Sequence, residues 1–177
     1  MKEFLITINL VIGISELALA AYFWKTHSGS AIRKVMTLLA FSTGMWVILT
    51  GLFSYGVIFI SYTDIATSFV YTFGVILVTA LLHLVILFPH SIFNFDRLHA
   101  ILLYVPAFIF SLASFTKAIT KYNALSSIDG YVISYPGPLH VIYNTYLFLL
   151  YTLTVLLLVN KIRRFDGVSR RNALIVL

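Results

Sequence analysis

Cysteine is absent from this 177-residue chain, and charge is scarce, at 10% of residues. Without cysteine there are no disulfide staples, thiolate nucleophiles, Fe–S clusters or Cys-based zinc sites. An average soluble domain is about 25% charged, so a soluble globule built from this chain has too few charges to cover its surface. Acids are the scarcer sign, six against twelve Lys and Arg. Only Glu16 lies deep in an apolar run, so the paired carboxylates of acid–base catalysis are missing. GxSxG, HExxH, HxxxH and phosphate-cradling Gly-rich loops are missing too, and no catalytic constellation is expected. Disorder and a collagen-like chain are excluded because apolar residues dominate.

What is present is hydrophobic: 60% of the chain, with a mean hydropathy of +0.99. A spanning helix needs about 20 apolar residues. Five runs qualify, at about 4–24, 35–56, 68–88, 98–116 and 139–159, and a sixth begins near 173. The runs are continuously apolar rather than alternating, which argues against an outer-membrane barrel. The expected fold is all-α, a polytopic transmembrane helical bundle with five complete spans and the start of a sixth. On this reading the whole chain, 1–177, is one transmembrane domain and a piece of a longer protein.

The net charge of +6 is read through its placement, not as a sign of nucleic-acid binding. Lys25, Arg33, Lys34, Arg97, Lys161, Arg163, Arg164, Arg170 and Arg171 fall on one side of the alternating loops, and Lys2, Lys117 and Lys121 on the other. Nine against three is a positive-inside bias that puts the N-terminus outside. Ala18-Leu19-Ala20 resembles a signal-peptidase site. Cleavage there would leave Lys25, Arg33 and Lys34 outside, against that bias, so an uncleaved first span is preferred.

At 100° per residue, Asn9, Gly13, Glu16 and Ala20 share a face about 60° wide. The third span does the same with Ser68, Thr72, Thr79 and His83. The second carries Thr37, Ala40, Gly44, Gly51 and Ser54, and the fourth Ala107, Ser111, Ser114 and Ala118. Small residues let helices approach and hydroxyls bond across them, so the spans should form one bundle with Asn9, Glu16 and His83 turned inward. Glu16 is the most expensive residue, because an acid at mid-membrane costs about 2.5–3.5 kcal/mol on insertion scales. Its expected partner is His83, since their depths differ by about 4–5 Å at ~1.5 Å per residue. Asn9 and Asn144 lie at matching depths near the outer surface. These four residues are the candidate intramembrane cluster, either a site for a small ligand or proton or static interhelical bonding.

His83 and His90 are seven apart, but too few ligands converge for a metal or haem, so no cofactor is expected. Tyr135, Tyr143 and Tyr146 gather near the outer end of the fifth span. They read as an interfacial belt, with the wall of an outward pocket as the alternative. Trp46 points away from the small-residue stripe, toward lipid or a neighbouring helix. The outer loop from about 117 to 138 carries Asp129-Gly130, a turn signal, and a strand-like YVISY, which suggest a small hairpin lid.

Several stretches carry a family likeness, in order along nearly the whole chain. The second span reads FSTGMWVILTGL, the third closes in LHLVILFPH, the outer loop ends in YPGPLHVIYNTY, and a basic KIRRFDGVSRRNALIVL follows the fifth span. The chain resembles the N-terminal seven-transmembrane sensor region of bacterial membrane histidine kinases and related signalling proteins. The resemblance implies a signal-input module in the bacterial inner membrane, relaying a small-molecule or membrane stimulus to a cytoplasmic output domain of the same full-length chain. It also implies working as a homodimer. Any kinase activity would belong to that output domain, not to these residues. The competing class is a fragment of a transporter or channel, for which Pro106 would be a helix break. A purely structural membrane subunit is the third.

Overall fold

The computed structural model describes residues 2–26, 30–54, 63–88, 95–122 and 134–164. Five helices make the architecture: α1 (Lys2–Lys25), α2 (Ala31–Ser54), α3 (Thr63–Leu87), α4 (Arg97–Ser114) and α5 (His140–Arg164). Each is long and apolar enough to cross a membrane. At ~1.5 Å per residue the shortest, α4 with 18 residues, reaches about 27 Å, close to the ~30 Å of bilayer hydrocarbon. In lipid only a helix or a closed barrel satisfies every backbone polar group within the segment, and that selects helix for these runs. The expected all-α bundle is the observed class. The anticipated sixth span lies outside the described residues.

Local chemistry explains the ends. The carboxylate of Asp96 caps α4 by accepting from the His99 backbone N–H at 3.0 Å and from His99 Nδ1 at 2.6 Å. The backbone bond, then the side-chain bond, hold the Asp96 carboxyl below its usual range. At the other end α4 closes on Phe115, whose N–H donates to the carbonyls of Leu112 and Ala113, and Lys117 just beyond takes a left-handed φ of 58°. Its ammonium meets Asp64 of α3 at 2.8 Å. Pro106 sits inside α4 without interrupting it, so the helix break that would mark a transporter is not found there.

The loop expected to be a hairpin is one at its base. Strand β1 (Thr120–Tyr122) pairs antiparallel with β2 (Ser134–Pro136), with Lys121 opposite Tyr135. The Asp129-Gly130 turn falls outside the described residues. Gly137 N–H donates to the Ile119 carbonyl and Leu139 N–H to that of Ala118, both at 2.8 Å. A β-carbon on Gly137 would collide with the Ala118 carbonyl, so this turn closes only around glycine. We call this the ribbon end and the opposite one, which carries Lys25, Lys34 and Lys161, the basic end.

The core is built around α3, which packs against α2, α4 and α5. Val75, Ala107, Ile119 and Tyr143 form one buried cluster, Leu82, Ile86 and Leu150 a second, and Val85 with Leu158 a third. Ile119 is a loop residue, yet fully buried, so the ribbon is pinned into the bundle. Outward faces expose large side chains such as Val11, Ile14, Leu102, Phe108, Phe148 and Leu156. In water such faces would aggregate; in lipid they meet a solvent as apolar as themselves.

Candidate functional site

The small-residue stripes of α1 and α2 meet each other. A β-carbon at Gly44 would lie 2.8 Å from the Gly13 carbonyl, and one at Gly51 would lie 2.7 Å from Asn9 Cβ. Gly13 and Gly44 therefore set the separation of the two backbones. The stripes of α3 and α4 are joined by hydroxyls. Ser68 Oγ donates to the Ser114 carbonyl at 2.9 Å, Ser114 Oγ lies 3.0 Å from the Ser68 carbonyl, and Thr72 Oγ1 lies 3.1 Å from Ser114 Oγ. Pairs of this kind are worth about 0.6 kcal/mol on average in a membrane. They fix register more than they add stability.

The cluster proposed from depth alone is divided by direction. Glu16 faces a cleft of about 380 Å³ between α1, α2 and α3, lined by Met36, Ala40 and Thr43 of α2 and Leu77, Leu81 and Leu84 of α3. His83 lies on α3 at a suitable depth but about 120–130° around the helix from that leucine face, at 100° per residue. Its ring is buried against Phe95, with centroids 4.7 Å apart, and Nδ1 is 3.2 Å from the Tyr104 hydroxyl. The expected Glu16–His83 pair is therefore not formed. Among the described residues Glu16 has no hydrogen-bond or ion-pair partner. Asn9 packs on Gly51, whereas Asn144 is exposed and bonds His140 Nε2 at 2.9 Å.

The tyrosines also separate. Tyr143 is the largest fully buried side chain among the described residues, so the interfacial belt expected of it is not its role. Its hydroxyl donates to the Tyr71 carbonyl at 2.7 Å, and Tyr71 and Phe110 meet its ring edge-on. Tyr146 lies against Phe110, with centroids 4.9 Å apart, while Tyr135 is exposed on β2. Trp46 resolves toward a neighbouring helix: a β-carbon on Gly74 of α3 would lie 3.4 Å from its Nε1. Among the described residues no three His, Asp or Glu side chains gather as a metal site would require.

One polar contact escaped the sequence reading. Lys161 of α5 is 2% exposed, and its Nζ donates to the carbonyls of Ile86 at 3.1 Å and Phe88 at 2.8 Å. The last carbonyls of a helix have no partner within it, and the ammonium supplies donors to two of them. A cation there also faces the negative end of the helix dipole. A lysine at the border of an apolar run signals topology, not a partner, so the signal available was Pro89 and the orphaned carbonyls before it.

Five membrane-length helices packed through hydroxyl, glycine and lysine contacts define a multi-pass helical membrane protein. A family model for the N-terminal 7TM region of histidine kinase matches residues 8–177, and the chain belongs to that family. It is thus a membrane sensory input module; in this family the 7TM region is the sensor rather than the catalytic part. No curated protein and no solved structure matches.

Proposed function

We propose that residues 1–177 form one sensor domain that relays a stimulus across the bacterial inner membrane to an output domain in the cytoplasm, with the N-terminus outside. The observation that carries this reading is the bond from Lys161 to the end of α3. It ties the hub helix to the helix that leads into the Arg-rich segment, so a tilt of α3 moves α5. Charge bias supports the orientation. A homodimer follows from the family's usual mode of action and brings two output domains together.

Within this reading the stimulus acts at the α1–α2–α3 cleft that contains Glu16. A ligand or proton that favours one packing shifts the population by its differential affinity and no more. Asn9, below the glycine contacts, holds the α1–α2 register on which the cleft depends. His83 with Tyr104 couples α3 to α4 on its far side, while within α5 Asn144 holds the ring of His140, whose Nδ1 lies 3.2 Å from the Ile119 carbonyl at the ribbon end. Tyr135, Tyr143 and Tyr146 support the ribbon as the outward wall of the module.

The test uses the full-length protein in nanodiscs, with phosphorylation of its output domain as readout. Glu16→Gln is expected to change the basal level or its pH profile; an unchanged response and profile would remove Glu16 from the mechanism. Accessibility tagging at Arg163 should label only from the cytoplasmic side, and external labelling would overturn the topology. Solute or ion flux through proteoliposomes, with no change in phosphorylation under any stimulus, would favour a transporter.

A further inference from the structure

A second cleft lies on the other flank of the α1–α2 pair, with a volume of about 630 Å³. Leu17, Ala21 and Trp24 of α1 and Thr37 and Phe41 of α2 line it, and Lys34 stands at its basic end. Trp24 and Phe41 are exposed, so the cleft opens sideways, toward lipid. From Leu17 to Trp24 it runs about 10 Å along the helix, roughly two-thirds of one ~15 Å leaflet of hydrocarbon. Trp24 lies at the helix end, where an indole ring favours the headgroup level.

The charge at its mouth is one-sided. Lys25, Arg33 and Lys34 bracket the α1–α2 turn, and the sequence has no acid between Glu16 and Asp64. Asp64 is committed to Lys117 at the ribbon end, and Asp96 to His99. Arg33 is folded back, donating to the Thr26 carbonyl. Lys34 forms no ion pair among the described residues. An apolar channel parallel to the bilayer normal, with an ammonium at headgroup depth that meets no acid among the described residues, has the shape and charge of a lipid seat.

We propose that this α1–α2 cleft binds an anionic phospholipid, with one acyl chain lying along Leu17, Ala21 and Phe41 and the phosphate on Lys34. The occupant is drawn from the surrounding leaflet, and its binding does not depend on the sensor reading. The charge complementarity sets a preference over a zwitterionic lipid of about five-fold, as expected for one basic residue near the surface.

The experiment uses the full-length protein in phosphatidylcholine vesicles doped with chain-brominated phosphatidylglycerol or chain-brominated phosphatidylcholine. The Trp24 signal is the fluorescence removed by Trp24→Phe. Brominated phosphatidylglycerol should quench it at about five-fold lower mole fraction than brominated phosphatidylcholine. Lys34→Gln should bring the two lipids to parity, while Lys34→Arg and the distant Lys117→Gln should keep the preference. Equal quenching in the wild type would mean ordinary boundary lipid and would overturn the proposal. So would a preference that survives Lys34→Gln, or a Trp24 that neither lipid reaches because protein covers the cleft. Phosphorylation plays no part in this readout, so failure here leaves the sensor reading standing, and the reverse holds.

Discussion

Replacing Lys161 by Met tests how the basic end is held together. Met keeps most of the apolar stem but removes the ammonium that donates to the carbonyls of Ile86 and Phe88. Hydrogen bonds involving a charged group contribute about 1.5–3 kcal/mol each, and orphaned buried acceptors cost about 1–3 kcal/mol. Ile86 is buried, so water does not readily replace the lost donor. Against this, Met removes the cost of an ammonium near hydrocarbon, about 2.5–3.5 kcal/mol at the bilayer centre and less toward its edge. The net expected loss is about 2 kcal/mol, a fall in Tm of about 4–8 °C. Thermal unfolding of the full-length protein in nanodiscs measures it, and amide exchange at residues 84–88 should accelerate. Lys161→Arg should recover most of the loss, because guanidinium keeps the charge and the donors. A Lys161→Met protein within about 0.5 kcal/mol of wild type, a typical effect for a surface substitution, would refute the claim that this bond ties α3 to α5.

Gly44→Leu should separate α1 from α2, because even a β-carbon meets the Gly13 carbonyl at 2.8 Å. Overpacking of this kind costs about 1–3 kcal/mol, read by denaturant titration; a variant as stable as wild type would show that the two backbones do not set their separation here. Ser114→Ala removes the hydroxyl shared with Ser68 and Thr72 and should cost about 0.6–1.7 kcal/mol; no change in unfolding would show that the α3–α4 register rests on apolar packing. Asp96 has a lowered folded-state pKa, so its contribution is present in full above the unfolded carboxylate value near 4 and is lost as pH falls through the lower folded value. Asp96→Asn should keep the cap but flatten the fall in stability as pH drops below the unfolded carboxylate value near 4, and a slope equal to that of wild type would exclude this carboxylate as its source.

Which segments cross the bilayer was legible from the residues alone. Unbroken apolar runs leave a backbone in lipid only one way to satisfy its polar groups, and Leu, Ile, Val and Phe over about 20 positions write that plainly. Glycines and hydroxyls at helical spacing also marked the contact faces, and Gly13–Gly44 and Ser68–Ser114 are where those faces touch. The pairing of distant side chains was decided only in three dimensions. Depth follows from counting residues, but azimuth depends on which helices are neighbours, and loops do not encode that. His83 has the depth to reach Glu16 and the wrong direction, so it bonds Tyr104 instead. Tyr143 reads as a belt residue until α3 and α4 close around it, and Lys161 reads as a topology marker until the end of α3 arrives with two carbonyls that its ammonium meets.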